Sequence, residues 1–168
     1  MNKPNNSNNP LWSNVFAAAS DWQPEAVRLF HQTPLFQTIT KRTLRRLVNE
    51  MYHRHYQDME PVFELGDPGL GMYLVLQGGV AITVDDKLLT ELSVGDFFGE
   101  IALMGDERRT ASAHAIGDTR LVGFFRPALQ EWVERQPQMG AQFLLQLGQV
   151  LAERLRKTNE RLMLAEGK

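Results

Sequence analysis

The pattern of apolar and polar positions divides the chain into two helix-like flanks around a centre with a shorter period. Residues 1–10 are rich in Asn and Pro without apolar periodicity, which predicts a disordered leader. Leu11–Phe30 carries two short apolar stretches, broken at Ser20–Asp21 and by Pro24. Pro24 suits the first turn of a helix running through Glu25, Val27 and Leu29. Thr40 is placed to cap a second helix, with Leu44, Leu47, Val48 and Met51 as its buried stripe. From Arg54 the period changes. Short apolar runs alternate with turn signals: Val62–Leu65 before Gly66-Asp67-Pro68-Gly69, Met72–Leu76 before Gly78-Gly79, Val80–Val84 before Asp85-Asp86, and Leu88–Leu92 before Gly95-Asp96. Ala111–Ala115 and Thr119–Phe125 are two more strand-like runs. Strands at this spacing predict an all-β sandwich or barrel of hairpins. Helix returns after Pro127 with Leu129, Trp132 and Val133, and a long last helix is expected from about Gln138 to Ala165.

The last helix carries a stripe at alternating steps of three and four: Leu144, Leu147, Leu151, Leu155, Thr158, Leu162 and Ala165. Such a stripe either packs on the barrel or seals against a second copy of itself; it is longer than one face of a small barrel covers, so a homodimer through this helix is the expectation. The chain then divides into a leader (1–10), an N-terminal helical extension (11–33), a β-barrel domain with its entry and exit helices (34–137) and a C-terminal lid or dimerisation helix (138–168).

Composition narrows the choices. Hydrophobic residues make up 43% and charged residues 23% of 168, the profile of a globular domain with a core of its own. With no cysteine, thiol chemistry, zinc ribbons and disulfide scaffolds are excluded. The N-terminus lacks the apolar segment of a signal peptide, and no apolar run approaches the ~20 residues that span a bilayer; a cytoplasmic protein without membrane contact is expected. A net charge of −2 gives no general attraction to nucleic acid. Lys41, Arg42, Arg45 and Arg46 form a local basic cluster, read as a solvated helix face.

The chemistry concentrates in FFGEIALMGDERRTAS, residues 97–112. Gly99-Glu100 opens a short helical turn through Ile101, Ala102, Leu103 and Met104. The start of such a turn presents unpaired N–H groups to an anionic oxygen. Glycine at 99 and alanine at 102 keep that wall shallow. Arg109 follows at the mouth of the next strand, where its fork can hold two phosphate oxygens at once. A carboxylate at Glu100 would repel a phosphate unless it served another part of the ligand. Its use is to accept a hydrogen bond from a sugar hydroxyl, with Arg109 compensating its charge. One phosphate beside a ribose hydroxyl meets both demands.

These residues resemble the cyclic nucleotide-binding domain family, shared by the catabolite activator protein, the regulatory subunits of cyclic AMP-dependent kinase and cyclic nucleotide-gated channels. The resemblance covers roughly Pro34–Glu166, including the glycine-punctuated stretch ELGDPGLGMYLVLQGGV (Glu64–Val80) and the cassette F-G-E-I-A-L-M followed by R-T-A-S. It implies a mainly β fold, an antiparallel β-barrel or jelly roll (double-stranded β-helix) with N-terminal helices and a long C-terminal helix. By resemblance, Gly99 and Ala102 offer N–H groups to the cyclic phosphate, Glu100 takes the ribose 2′-hydroxyl, and Arg109 pairs with the exocyclic phosphate oxygens. Phe98, Ile101, Leu92, Ile82 and Ala111 fall where the ligand or the core is lined. Thr110 resembles the residue associated with acceptance of cyclic GMP beside cyclic AMP. Where many members have proline before the arginine, this chain has Arg108, which implies either a looser loop or a second cation near the phosphate. The family's lid over the base is not assignable to a residue of the last helix.

The remaining chemistry-bearing residues carry bland readings. His53 and His55 project from one face of an expected strand, but no third ligand accompanies them, so they are read as surface histidines and no metal site is expected. His31 and His114 are isolated, and Trp12, Trp22 and Trp132 are read as core or docking anchors. No nucleotide-hydrolysing loop, nucleophile elbow or H-E-x-x-H is present, so a binding site without catalysis is expected. The expected function is a cyclic AMP or cyclic GMP sensor, with no resident cofactor, signalling to a protein effector through the C-terminal helix. The alternative is a ligand-free interaction scaffold of the same fold. No helix-turn-helix follows the last helix within the sequence, so direct DNA binding is not expected.

Overall fold

The computed structural model describes residues 22–166, so the expected leader and the stretch to Asp21, Trp12 included, lie outside the described residues. Two helices, α1 (Trp22–Gln32) and α2 (Lys41–Val48), lead into six strands: β1 (Tyr52–Tyr56), β2 (Pro61–Phe63), β3 (Gly71–Val84), β4 (Lys87–Leu92), β5 (Phe97–Phe98) and β6 (Ser112–Phe125). A 3₁₀ turn (Glu100–Leu103) interrupts them between β5 and β6, and α3 (Arg126–Arg135) and α4 (Pro137–Glu166) close the chain. Every strand pairing is antiparallel, in the order β1-β6-β3-β4, with β2 also on β6 and β5 also on β3. The fold is therefore mainly β with flanking helices and a long C-terminal helix, as expected. Thr40 caps α2 by accepting from the Thr43 N–H at 3.3 Å. The Lys41, Arg42, Arg45 and Arg46 face is exposed, as read.

Two corrections concern the strands. The runs Met72–Leu76 and Val80–Val84 are halves of the 14-residue β3, and Ala111–Ala115 and Thr119–Phe125 are halves of the 14-residue β6. Gly78-Gly79 is therefore no hairpin turn. Register shifts on either side of Gln77, with Gly78 at φ +73°, make it a bulge that bends the ladder without ending it. Gly117, at φ +67°, does the same opposite. The buried Thr119 fastens this bend: its Oγ1 accepts from the Gly79 N–H at 3.3 Å and lies 3.0 Å from the Gly79 carbonyl oxygen. The true hairpin between β3 and β4 turns at Asp85-Asp86, both at positive φ as a two-residue turn of this hand requires.

Alternation along β3 builds two cores. Met72, Leu74 and Leu76 face a helical core with Phe30, Phe36, Phe124, Trp132, Phe143 and Leu147, while Val75 and Val80 face a second core inside the strands with Phe98 and Leu121. The helix α1 belongs to the first core through Ala26, Leu29 and Phe30. At the crossing of α3 and α4, Gly140 has no room for a side chain, since a Cβ there would meet Val133 Cα at 2.9 Å. No described helix is long and apolar enough to cross a membrane. Among the described residues no group of three His, Asp or Glu could hold a metal ion.

His53 departs from its reading as a surface histidine. Its ring stacks on Trp22 of α1 at 5.4 Å and 12°, and its Nε2 is buried with no hydrogen-bond partner. His55 is exposed and pairs with Asp118. Burial, then the cations Arg120 and His55, push the His53 pKa below its ordinary value. A histidine held neutral in the fold favours folding above its unfolded-state pKa of about 6.5, and that contribution is lost as pH falls below it. The urea midpoint is expected to fall on acidification from about pH 7 to about pH 5, and to fall less in His53→Phe.

Candidate functional site

The sequence from Gly66 to Arg109 folds back on itself to set the site. Gly66 donates to the Arg109 carbonyl at 2.8 Å, the Arg109 N–H donates to Asp67 at 2.8 Å, and Gly69 donates to Glu107 at 3.1 Å. Arg108 adds a bond from Nη1 to the Gly66 carbonyl at 2.7 Å. The loop with Arg108 in place of proline is therefore zipped to the Gly66–Gly69 turn rather than loosened.

Beyond this zipper lies a cavity of about 580 Å³. All ten sequence-selected residues line it: Ile82 and Leu92 from the β3–β4 hairpin, Phe98 from β5, Gly99 through Ala102 from the 3₁₀ turn, and Arg109, Thr110 and Ala111 from the approach to β6. Gly99 enters the turn at φ +73°, a left-handed conformation that glycine adopts without strain. A Cβ on it would lie 2.5 Å from Arg109 Nη1, so glycine here also makes room for the guanidinium. The Ala102 N–H is already engaged, donating to the Gly99 carbonyl at 3.2 Å. A phosphate that used this N–H would have to share it with that carbonyl.

Arg109 is 7% exposed. Its Nη1 donates to the Gly99 carbonyl at 3.2 Å and its Nη2 to the Gly71 carbonyl at 2.8 Å. The guanidinium sits over the Phe63 ring, 4.0 Å from its centre, and its Nε is buried without a partner. Burial pushes its pKa down from the ordinary arginine value, with Tyr73, Asp67 and Glu100 pulling the other way. Arginine remains a cation at neutral pH under such pressure. The structure thus fixes a desolvated, forked cation beside a glycine turn. A forked cation of this kind is chemically able to hold two anionic oxygens by charge-assisted hydrogen bonds.

The electrostatic partner of Glu100 differs from the expectation. The carboxylate is 2% exposed, and while Arg109 acts on it through space, its hydrogen-bonded cation is Arg154 of α4, Nη1 donating to Oε1 at 2.7 Å. Arg154 also donates to the Phe97 carbonyl at 3.0 Å and lies over the Phe97 ring. The two residues are 54 positions apart, so no local spacing announces the pair. With Arg154 come Lys157, Thr158 and Arg161, which line the same cavity from one face of α4. The expected stripe of α4 therefore divides. Leu147 is fully buried and Leu144 and Leu151 pack on the helical core. Thr158 turns to the cavity, while Leu155 and Leu162 stay 62% and 55% exposed. The steps 154, 157, 158 and 161 are the signal by which sequence could have found this wall.

The cyclic nucleotide-binding domain family matches residues 53–136, half of the chain. The chain is 32% identical over 133 residues to the CRP-like cAMP-activated global transcriptional regulator of Mycobacterium tuberculosis, covering 76% of this chain and 58% of that protein. It thus spans under two thirds of that relative's length. Among solved structures, the catabolite activator protein of Thermus thermophilus superposes with a TM-score of 0.70 at 31% identity, over 80% of this chain and 63% of that one. A cyclic nucleotide-binding domain from Methylobacillus flagellatus shares the fold at a TM-score of 0.74 and 23% identity, over 86% of this chain and 84% of the other. With the matched segment running from β1 through the glycine turn and Arg109 to the end of α3, the chain belongs to the cyclic nucleotide-binding domain family.

Proposed function

We propose that this domain senses a purine cyclic mononucleotide, cyclic AMP or cyclic GMP, and binds it without catalysing a reaction. The observation that carries the reading is the cavity itself: a buried forked cation and a buried carboxylate sit on either side of one glycine turn, beneath α4. Arg109 clamps the phosphate together with the N–H groups of the Gly99–Ala102 turn. Glu100 accepts the ribose hydroxyl, and Phe98, Ile82 and Leu92 give an apolar wall to the sugar and base. Thr110 meets the purine edge and admits either base.

The readout is α4. A ribose hydroxyl at Glu100 would share with Arg154 the carboxylate that holds the helix down, so filling the cavity bears directly on that contact. The shift is limited by the ligand's different affinity for the two helix positions. The exposed Leu155 and Leu162 give the moving half of α4 an apolar edge, suited to a second copy of this chain or to a protein effector.

Calorimetric titration of the purified protein with cyclic AMP, cyclic GMP and 5′-AMP tests the reading. One cyclic nucleotide per chain is expected, with 5′-AMP much weaker. An absence of heat and of thermal shift at millimolar cyclic nucleotide would contradict it. Partner capture unaffected by Glu100→Ala and Arg109→Ala would favour the ligand-free scaffold instead.

A further inference from the structure

The cavity carries more positive charge than one phosphate uses. Its lining includes five cationic side chains, Arg108, Arg109, Arg154, Lys157 and Arg161, against two carboxylates, Glu100 and Glu107. This excess is local, since the whole chain has a net charge of −2. Two of the five are committed: Arg109 is buried over Phe63, and Arg154 is bonded to Glu100. The other three are exposed and line the cavity from its rim. Arg108 stands on the loop before β6, held by one nitrogen to the Gly66 carbonyl. Lys157 and Arg161 stand one turn apart on α4, on the face that turns Arg154 and Thr158 inward. Lys157 also meets Glu153 at 3.4 Å, an exposed pair of little energetic weight.

Like charges on two walls of one concave opening repel each other and focus a positive potential between them. An anion seated there removes the repulsion. The cavity, about 580 Å³, is in the range of small-molecule sites, and these three exposed cations are part of its lining. We infer that the mouth is a second phosphate subsite, bounded by Arg108 on the loop and by Lys157 and Arg161 on α4, so that the cavity accepts a cyclic dinucleotide with one phosphate at Arg109 and the other at the mouth. This rests on the phosphate clamp proposed for Arg109.

The test is calorimetry on the full chain with cyclic AMP, cyclic di-AMP and cyclic di-GMP, and with cyclic AMP in the presence of millimolar inorganic phosphate. One of the dinucleotides is expected to bind at least about tenfold more tightly than cyclic AMP, and more steeply dependent on salt. Lys157→Ala combined with Arg161→Ala is expected to remove that advantage, lowering dinucleotide affinity by at least about tenfold more than cyclic AMP affinity, with the fold kept because both side chains are exposed and outside the core. If inorganic phosphate alone tightens cyclic AMP binding, the subsite stands and its occupant is the free anion. If cyclic AMP binds while neither dinucleotide gains over it and phosphate has no effect, the second subsite is overturned and the sensor reading survives. If no nucleotide binds, both fall.

Discussion

Arg109→Ala is expected to weaken cyclic nucleotide binding by about 2–5 kcal/mol, from some 30-fold to several thousand-fold in Kd. The size follows from the desolvation already imposed on this cation. Its guanidinium is 7% exposed and bonded to two backbone carbonyls, Gly99 and Gly71, so the fork is held in place before any ligand arrives. A preorganised donor costs little ordering when it meets a phosphate, and its buried position keeps water from competing. Arg109→Lys restores the charge but not the planar fork, and most of the loss is expected to remain. Stability should change less than affinity. The variant leaves two carbonyls short of a donor, but it also removes a buried cation whose Nε has no partner. Calorimetry for affinity and urea unfolding for stability separate the two effects.

Phe143→Ala is the second large effect, and it acts on the other end of the helix. Phe143 is fully buried and touches three aromatic rings, with centroids at 5.0 Å to Phe36, 5.6 Å to Trp132 and 6.1 Å to Phe124. Its truncation is expected to cost about 3–5 kcal/mol, because the ring sits between helices and sheet that cannot collapse together into the space. Phe143→Leu keeps most of the volume and should cost less than half as much. Urea unfolding reads both. The first half of α4 is anchored by Phe143 and Leu147, and the second half is held by Arg154 at Glu100. Loosening the anchor should therefore raise nucleotide dissociation rates without touching the cavity lining. Stopped-flow displacement of a fluorescent cyclic nucleotide from Phe143→Leu checks that coupling.

The parts of this molecule visible in its sequence are those set by local chemistry. Thr40 as a cap, Pro127 in the first turn of α3, and the glycine turn before Glu100 each follow from what a residue and its near neighbours can do. The β-rich centre was legible for the same reason. The errors came where local signals are ambiguous or long-range. Gly78-Gly79 has the composition of a turn, yet pairing with the equally bent β6 holds it as a bulge inside one strand. His53 has an exposed-looking neighbourhood, yet Trp22 folds over it from 31 residues away. Within the site, the residues on the 3₁₀ turn and the β6 approach were identifiable from local sequence, whereas the α4 wall offered only a one-face spacing that nothing nearby in the chain tied to the cavity. Arg154 is an ordinary charged helix residue until the fold places it against Glu100. The apolar stripe drew attention to Leu155 and Leu162, while the adjacent face carried the polar residues that reach the cavity.

The central claim is that the Gly99–Ala102 turn and Arg109 together receive a cyclic phosphate. The most direct measurement is an amide and arginine side-chain NMR titration of the isotopically labelled chain with cyclic AMP. Saturating shifts are expected at the Gly99, Glu100 and Ala102 amides and at Arg109 Nε, the buried nitrogen without a partner, followed by smaller shifts through Arg154–Arg161 as α4 responds. An unchanged spectrum, or shifts confined to the separate depression around Tyr52, Leu70 and Phe125, would contradict the account.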